Sequence, residues 1–429
     1  MKFRSETIIR SVFPLAGLAF FLATTTALAA DWSSWRGGTG QGICDEKDLP
    51  LTWGGKDETG VLWKVYLPGV EEKATLDKNQ SSPIVVKGRV FVTTSYWLKS
   101  VKPAETIPEH HVTCYNASDG KQLWDVTVPP GPWKNSDLRG GYTAPTPTAD
   151  GERVYVVFGS SVIAALDFEG KSIWRKEFKP FDYDVAVGSS PIVYEDTIIY
   201  QCDQVNKSAR LLAFDGKTGD LKWEDKRPKQ NFSHSTPVLV KIKDKPQLLI
   251  AASNALQGVD PASGKVLWWC DAAGDTVSPM YSGGLVYCDS GRGGIGVAVD
   301  PTGAGDVTKT HLKWNVPRVP EGFGSPVILG EYVYRVHNPG ILKCWKLDTG
   351  EQVLNERLNG VSTAASPFTT PEGRIYFASA GKSFVLKAGP TLEILATNDL
   401  GDASQASPAV SDGKIILKGG KFLYCIGKR

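Results

Sequence analysis

The chain has 429 residues, of which 22% are charged and 41% hydrophobic, with a formal net charge of +2. That near-balance gives no electrostatic case for a nucleic-acid or anionic-membrane partner. Forty-five glycines, 27 prolines and 13 tryptophans against two methionines point instead to many tight turns and aromatic packing, an all-β composition.

In chain order, Lys2, Arg4 and Arg10 precede an apolar run from Val12 to Ala23, and Ala27–Ala29 offers a small-x-small cleavage site. Residues 1–29 therefore read as a secretory signal peptide whose apolar run is too short to span a bilayer. The first cysteine is Cys44, too far from the cleavage site to carry a lipid, so no membrane anchor is expected. The mature protein is expected to be periplasmic or secreted, and a monomer. Residues 30–58 form an N-terminal extension, and 59–429 a single domain.

That domain is a repeat. A proline after Ser or Thr opens each unit: "SSPIVVKGRVFV" at Pro83, "PTPTADGERVYVV" at Pro147, "SSPIVYEDTIIY" at Pro191 and "STPVLVKIKDKPQLLI" at Pro237. "VSPMYSGGLVY" at Pro279, "GSPVILGEYVY" at Pro326, "ASPFTTPEGRIYF" at Pro367 and "ASPAVSDGKIIL" at Pro408 complete the series. Pro83 to Pro408 spans 325 residues over seven intervals, a mean of about 46, near the length of a four-stranded propeller blade. Each unit opens with a hairpin, such as "SPIVV" and "RVFVTT" around Lys87-Gly88. A third strand, a glycine turn and a fourth strand follow, as in "LLAFD", "GKTG" and "DLKWED". The last unit ends one strand short, and "TGVLWKVYL", Thr59–Leu67, has the form of the missing fourth strand. The fold expected is an all-β, eight-bladed β-propeller of four-stranded antiparallel blades, closed by the N-terminal strand that completes the last blade.

Trp63, Trp124, Trp174, Trp223, Trp268 and Trp314 occupy equivalent fourth-strand positions, with Leu354 and Leu395 in their place in blades six and seven. Six symmetric copies cannot all face one ligand, so these side chains are read as docking blade on blade. Cys114, Cys344 and Cys425 align with Ala165, Ala213, Gly258 and Ala298 on the third strand, where a small buried group is required. Cys44, Cys202, Cys270 and Cys288 leave a disulfide open. No CxxC is present, and no metal site is expected.

The links between blades and the loops joining second to third strands share one face. There blades one to three carry the long segments 94–111, 129–142 and 179–188, and long loops on a regular scaffold concentrate function. Residues three before each repeat proline ring the channel mouth on that face: Gln80, Ala144, Gly188, His234, Thr276, Phe323, Ala364 and Gln405. The asymmetry of Gln80, His234, Phe323 and Gln405 fits a small-molecule site; the alternative is a set of solvated loop residues. Trp97, Trp133, Tyr96, Phe181 and Tyr183 form either an aromatic platform or plugs under the loops. Arg139, Tyr142, Asp182, Asp184 and Asp203 are the other polar candidates of this face. His110-His111 is a weak metal signal, because neighbours on a strand point to opposite faces.

The half-repeat "D-x-x-T-G-x-x-x-W", matched by Asp215, Thr218, Gly219 and Trp223 and nearly so by Asp260, Gly264 and Trp268, resembles that of the pyrroloquinoline quinone-like (PQQ-like) propellers. "DWSSWRGGTGQG", Asp31–Gly42, and "LKAGPTLEILATNDLGD", Leu386–Asp402, are similar to a bacterial exported subfamily. The resemblance implies one of two activities. One branch holds PQQ and Ca²⁺ over the propeller axis and oxidises alcohols or sugars. Another, which includes the propeller lipoprotein of the outer-membrane barrel assembly machinery, has no cofactor and is a scaffold. The adjacent Cys-Cys pair that many of the enzymes carry is missing here, and none of their Ca²⁺ ligands or catalytic residues can be carried over. The chain also departs from the assembly lipoprotein in lacking its anchoring cysteine. The expected function is thus an exported scaffold that binds a protein, glycan or other ligand. The alternatives are a quinoprotein dehydrogenase or a glycan-active enzyme on the embellished face.

Overall fold

A computed structural model describes residue 1 and residues 31–99, 106–133, 140–183, 187–227, 229–272, 274–361, 365–378 and 381–428. Residues 2–29 of the expected signal peptide lie outside that set, as do Ala364 and the candidates Arg139 and Asp184.

Eight antiparallel sheets form a ring. Blade 1 is Ile84–Val86, Arg89–Trp97, Glu109–Asn116 and Gln122–Thr127, and blades 2–7 repeat this plan from each opening proline. Blade 8 takes Ala409–Ser411, Lys414–Lys418 and Phe422–Ile426 from the end of the chain, and Val61–Tyr66 supplies its outer strand. The register sets Trp63 opposite Cys425. This is the closure expected from the sequence, and it leaves the ring without a free sheet end.

Local chemistry explains the units. Lys87 and Gly88 both have positive φ (50° and 74°), the two-residue turn whose twist matches a hairpin. In the third-to-fourth-strand turn of blade 3, Asp215 Oδ1 accepts the N–H groups of Lys217 and Thr218 at 2.9 Å each, fixing the reversal. Gly219 then meets two demands. Its φ is +71°, and a Cβ there would lie 2.6 Å from the Trp174 ring of the preceding blade. Turn and tryptophan are two halves of one contact between blades.

That contact recurs. The indole N–H groups of Trp63, Trp124, Trp174 and Trp314 donate to the carbonyls of Ala117, Phe168, Gly216 and Leu347 in the following blades, at 2.7–3.0 Å, while Trp223 lies against Gly264. Trp268 departs from the expected pattern. Its indole turns inward, fully buried, donates to Gln247 Oε1 at 2.9 Å and covers Gly258 of its own blade. Two features permit this. Gly258 has no side chain to fill the space, and Gly305–Asp306 adds a fifth, parallel strand along Trp268–Trp269 where a neighbour's turn would otherwise sit. In blade 7 the position opposite Val385 is Ala396 rather than Leu395, because the turn between these strands is one residue longer than the one between Ala213 and Trp223 or between Cys344 and Leu354.

Middle strands are buried on both faces, as in Val154–Phe158 and Val162–Leu166, and the apolar clusters lie between neighbouring sheets. All seven cysteines are free and buried, which closes the question of a disulfide left open above.

From Asp31 the extension runs across the face opposite the long loops. Asp31 accepts the Lys87 N–H, Trp32 pairs with Val85, and the Ser33 carbonyl accepts from Ala149. Gln41 then accepts from Tyr281, Cys44 donates to Thr369, and Glu46 accepts from Asp412 and Gly413. The segment thereby braces blades 1, 2, 5, 7 and 8 from below.

Candidate functional site

The inner strands enter the ring at the residue before each repeat proline. There the backbone N–H of every Ser or Thr donates to the hydroxyl of its counterpart in the next blade. The circuit runs Ser82, Thr146, Ser190, Thr236, Ser278, Ser325, Ser366, Ser407 and back to Ser82, each step 2.9–3.0 Å. These eight residues line a cavity of about 150 Å³ on the axis, and Trp35 of the extension forms its floor. Among the described residues no lysine, arginine, aspartate or glutamate lines this throat.

Above it the mouth residues Gln80, Ala144, Gly188, His234, Thr276, Phe323 and Gln405 come together, as their spacing led us to expect, and open into a funnel of about 630 Å³ that adds Gly140, Arg292 and Glu321. Among the described residues, the links into blades 2 and 3 present only the small Ala144 and Gly188 to the mouth. On the other side, Phe323 stands 44% exposed, an apolar surface in a polar setting. Gln80 Nε2 donates to Gln405 Oε1 at 2.6 Å, bridging blades 1 and 8. His234 stacks on Tyr183, with ring centroids 6.1 Å apart, beside Phe232. Arg292 lies 4.8 Å over Phe232, donates to Thr276 Oγ1 at 3.1 Å and approaches Asp275 at 3.5 Å. Arg292 and Glu321 of blade 5, and Phe232 of the link between blades 3 and 4, escaped sequence reasoning, because no long loop marks them.

The remaining candidates sit elsewhere. Tyr96, Phe181 and Tyr183 are buried and act as plugs beneath the loops. Tyr142 is also buried, within 6.2 Å of both Trp97 and Trp133, and Trp97 is pinned by its bond to the Thr106 carbonyl. Neither Trp97 nor Tyr142 lines the throat or the funnel. Asp203 is buried in an ion pair with Arg227 at 2.7 Å, and Asp182 accepts from Asn206. His110 stacks on Phe158 and bonds Ser160, and burial pushes its pKa down to about 3. His111 faces the other way, onto Asp125 at 2.8 Å.

Behind the mouth, Lys418 is fully buried and donates to Ser81 Oγ at 2.7 Å and the Thr93 carbonyl at 3.0 Å. Burial lowers its pKa from 10.5 to about 7, against the attraction of Asp77. A lysine of depressed pKa binds its proton less tightly folded than unfolded. The wild-type protein should therefore gain stability as pH rises from about 7 toward 10.5, and Lys418→Met should flatten that rise. Urea denaturation at three pH values across this window checks both statements.

A calcium ion needs several converging oxygen ligands. Among the described residues no three His, Cys, Asp or Glu side chains are placed to hold a metal ion, so the donor set does not fit the ion that the resemblance to the quinoproteins implies. Nor is any helix among them long and apolar enough to cross a membrane.

The family model described as outer membrane protein assembly factor BamB matches residues 108–356, more than half of the chain. The chain belongs to this PQQ-like propeller family. None of the curated proteins matches it in sequence. Among solved structures, BamB from Moraxella catarrhalis is similar, at 12% identity and TM-score 0.56 over 86% of this chain and 97% of that one. A europium-containing methanol dehydrogenase is similar at 10% identity and TM-score 0.56, over 93% and 98%. The computationally designed protein Ika8 is similar at 12% and 0.53, over 82% and 98%. At such identities the likeness is one of fold, and fold alone does not fix function.

Proposed function

We propose that this PQQ-like propeller is an exported, periplasmic binding scaffold that holds a protein or ligand partner in the funnel of its embellished face. The observation that carries the reading is the shape of the site. An asymmetric mouth with an exposed Phe323, a glutamine pair and Arg292 opens over a throat closed by Trp35. Such a cul-de-sac suits retention of one feature of a partner better than passage through the ring. The family description as an assembly factor agrees with a role in holding other proteins.

The test uses purified mature protein carrying Phe323→Asp and, separately, Arg292→Ala, both exposed or half-exposed changes. Each variant should keep the wild-type melting temperature and lose a partner that the wild-type protein retains with the funnel face protected from labelling. Stoichiometric binding of PQQ with Ca²⁺, or turnover by the purified protein alone, would overturn the reading. So would a partner protected on any other face.

A further inference from the structure

The throat has donors without acceptors. Each of its eight hydroxyl oxygens accepts a backbone N–H from a neighbouring blade. Among the described residues none of the eight donates its own proton to a protein acceptor. A hydroxyl with one of its two lone pairs engaged in this way keeps an O–H that is free to turn toward the axis, and these residues line the axial cavity. Among the described residues no aspartate or glutamate lines the cavity to repel a negative guest.

A second observation lies beneath the floor. The guanidinium of Arg36 is 5.4 Å from the Trp35 ring and only 1% exposed. Its Nη2 donates to the carbonyls of Pro326 and Pro367, the residues that follow Ser325 and Ser366 of the hydroxyl circuit, at 2.7 and 3.4 Å. Its Nε and Nη1 have no partner, and no carboxylate forms an ion pair with it among the described residues. Burial, and then the neighbouring Arg335, lower its pKa to about 9, so it remains a cation at neutral pH. Arg335 is itself paired with Asp289 at 2.8 Å and leaves the charge of Arg36 unbalanced. An isolated buried cation is costly, and a ring of O–H donors next to it is the environment that offsets that cost by holding an anion.

We propose that the throat is a binding site for one compact monovalent anion, held by the serine and threonine hydroxyls above Trp35 and balanced by Arg36. The cavity of about 150 Å³ corresponds to roughly five water volumes, which admits a halide with part of its hydration shell, or a carboxylate. One unbalanced cation matches one negative charge. The anion comes either from solution or as the carboxylate of a molecule seated in the funnel, since the two spaces share their mouth residues. The site stands whether or not the funnel holds a partner.

The experiment dialyses the purified protein into gluconate, an anion too large for the throat, and titrates sodium bromide and sodium acetate separately at constant ionic strength. Melting temperature and calorimetry are read, and bromide is located in crystals by anomalous scattering. The expected result is a bromide on the axis within the hydroxyl ring and a melting temperature that rises with bromide. Arg36→Met should raise the half-saturating concentration about tenfold or more. Should that variant fail to fold, Thr236→Val, which removes one hydroxyl, should weaken binding in the same direction. Bromide that acetate does not displace identifies a free inorganic anion, and displacement identifies a carboxylate. A protein whose melting temperature is the same in bromide and gluconate, with no axial bromide, overturns the proposal. An axial bromide with no thermal response and no change in Arg36→Met is an adventitious ion only, and overturns it too.

Discussion

Trp268→Ala is expected to destabilise the protein by about 3–5 kcal/mol, the cost of emptying a fully buried aromatic site, and more than the same change at Trp124 or Trp223. The reason is position. Trp223 and Trp124 are half-buried at the blade edge, where collapse and solvent relieve a truncation, whereas Trp268 is at 0% exposure inside the cluster of blades 4 and 5. Its loss also strands Gln247 Oε1, its acceptor at 2.9 Å. The reciprocal change, Gly258→Ala, should be comparably harmful, because a Cβ there would lie 2.0 Å from Trp268 Nε1. The two sites touch, so their effects should not add. Trp268→Phe in the Gly258→Ala background, with its smaller ring, should recover part of the loss. Denaturant midpoints for the two single variants and the pair measure the coupling, and strict additivity would refute the inward packing of Trp268.

Arg335→Met should cost about 3–5 kcal/mol and change the sign of an acid response. Arg335 and Asp289 are both fully buried, joined Nε–Oδ2 at 2.8 Å and Nη2–Oδ1 at 2.9 Å, and Arg335 also donates to the Gly322 and Gly324 carbonyls. Burial pushes the Asp289 carboxyl up. The charge and hydrogen bonds of Arg335, with smaller help from His337 and the Gly291 N–H, overcome that and hold it below the ordinary aspartate value. A carboxyl whose pKa is lower folded than unfolded contributes stability that is complete above the unfolded value and is lost as pH falls through the folded one. Without Arg335, burial, the largest cause, outweighs what His337, the Gly291 N–H and the Tyr287 hydroxyl still supply, so the Asp289 pKa rises above its unfolded value, and the variant should gain stability on acidification where the wild type loses it. Asp289→Asn in the Arg335→Met background should remove the pH dependence and part of the destabilisation. Urea titrations of the three proteins between the aspartate range and neutrality decide the matter.

The repeat made the ring legible, since eight Ser/Thr-Pro openings and a stray strand at Thr59–Leu67 leave little choice of architecture. The mouth residues could be named because each sits at a fixed offset from its proline. The rest depended on distances that no periodicity encodes. The inward turn of Trp268 requires an empty Gly258 and a fifth strand from Gly305–Asp306, which align with nothing in the other units. Ala396 stands where Leu395 was expected because the preceding turn is one residue longer than in blades 3 and 6. The path of Asp31–Glu46 has no repeat to read, so neither the floor at Trp35 nor the lone charge of Arg36 could be anticipated. The hydroxyl circuit is an intermediate case. Its members were visible as the residue before each proline, but their role appears only when the blades stand side by side.

Blades 1 to 7 each form from one stretch of chain, whereas blade 8 and the hydrogen bond from Ser407 to Ser82 join opposite ends. That difference sets an order in time. As the polypeptide emerges, seven sheets can accumulate one after another, yet they remain an open arc with two raw edges until Phe422–Ile426 arrives to meet Val61–Tyr66. The slowest search is also the last one, because its partners are farthest apart along the chain. Interruption at that stage would leave nearly all the secondary structure in place and two unpaired strand edges facing solvent, the condition under which such proteins find one another instead of themselves.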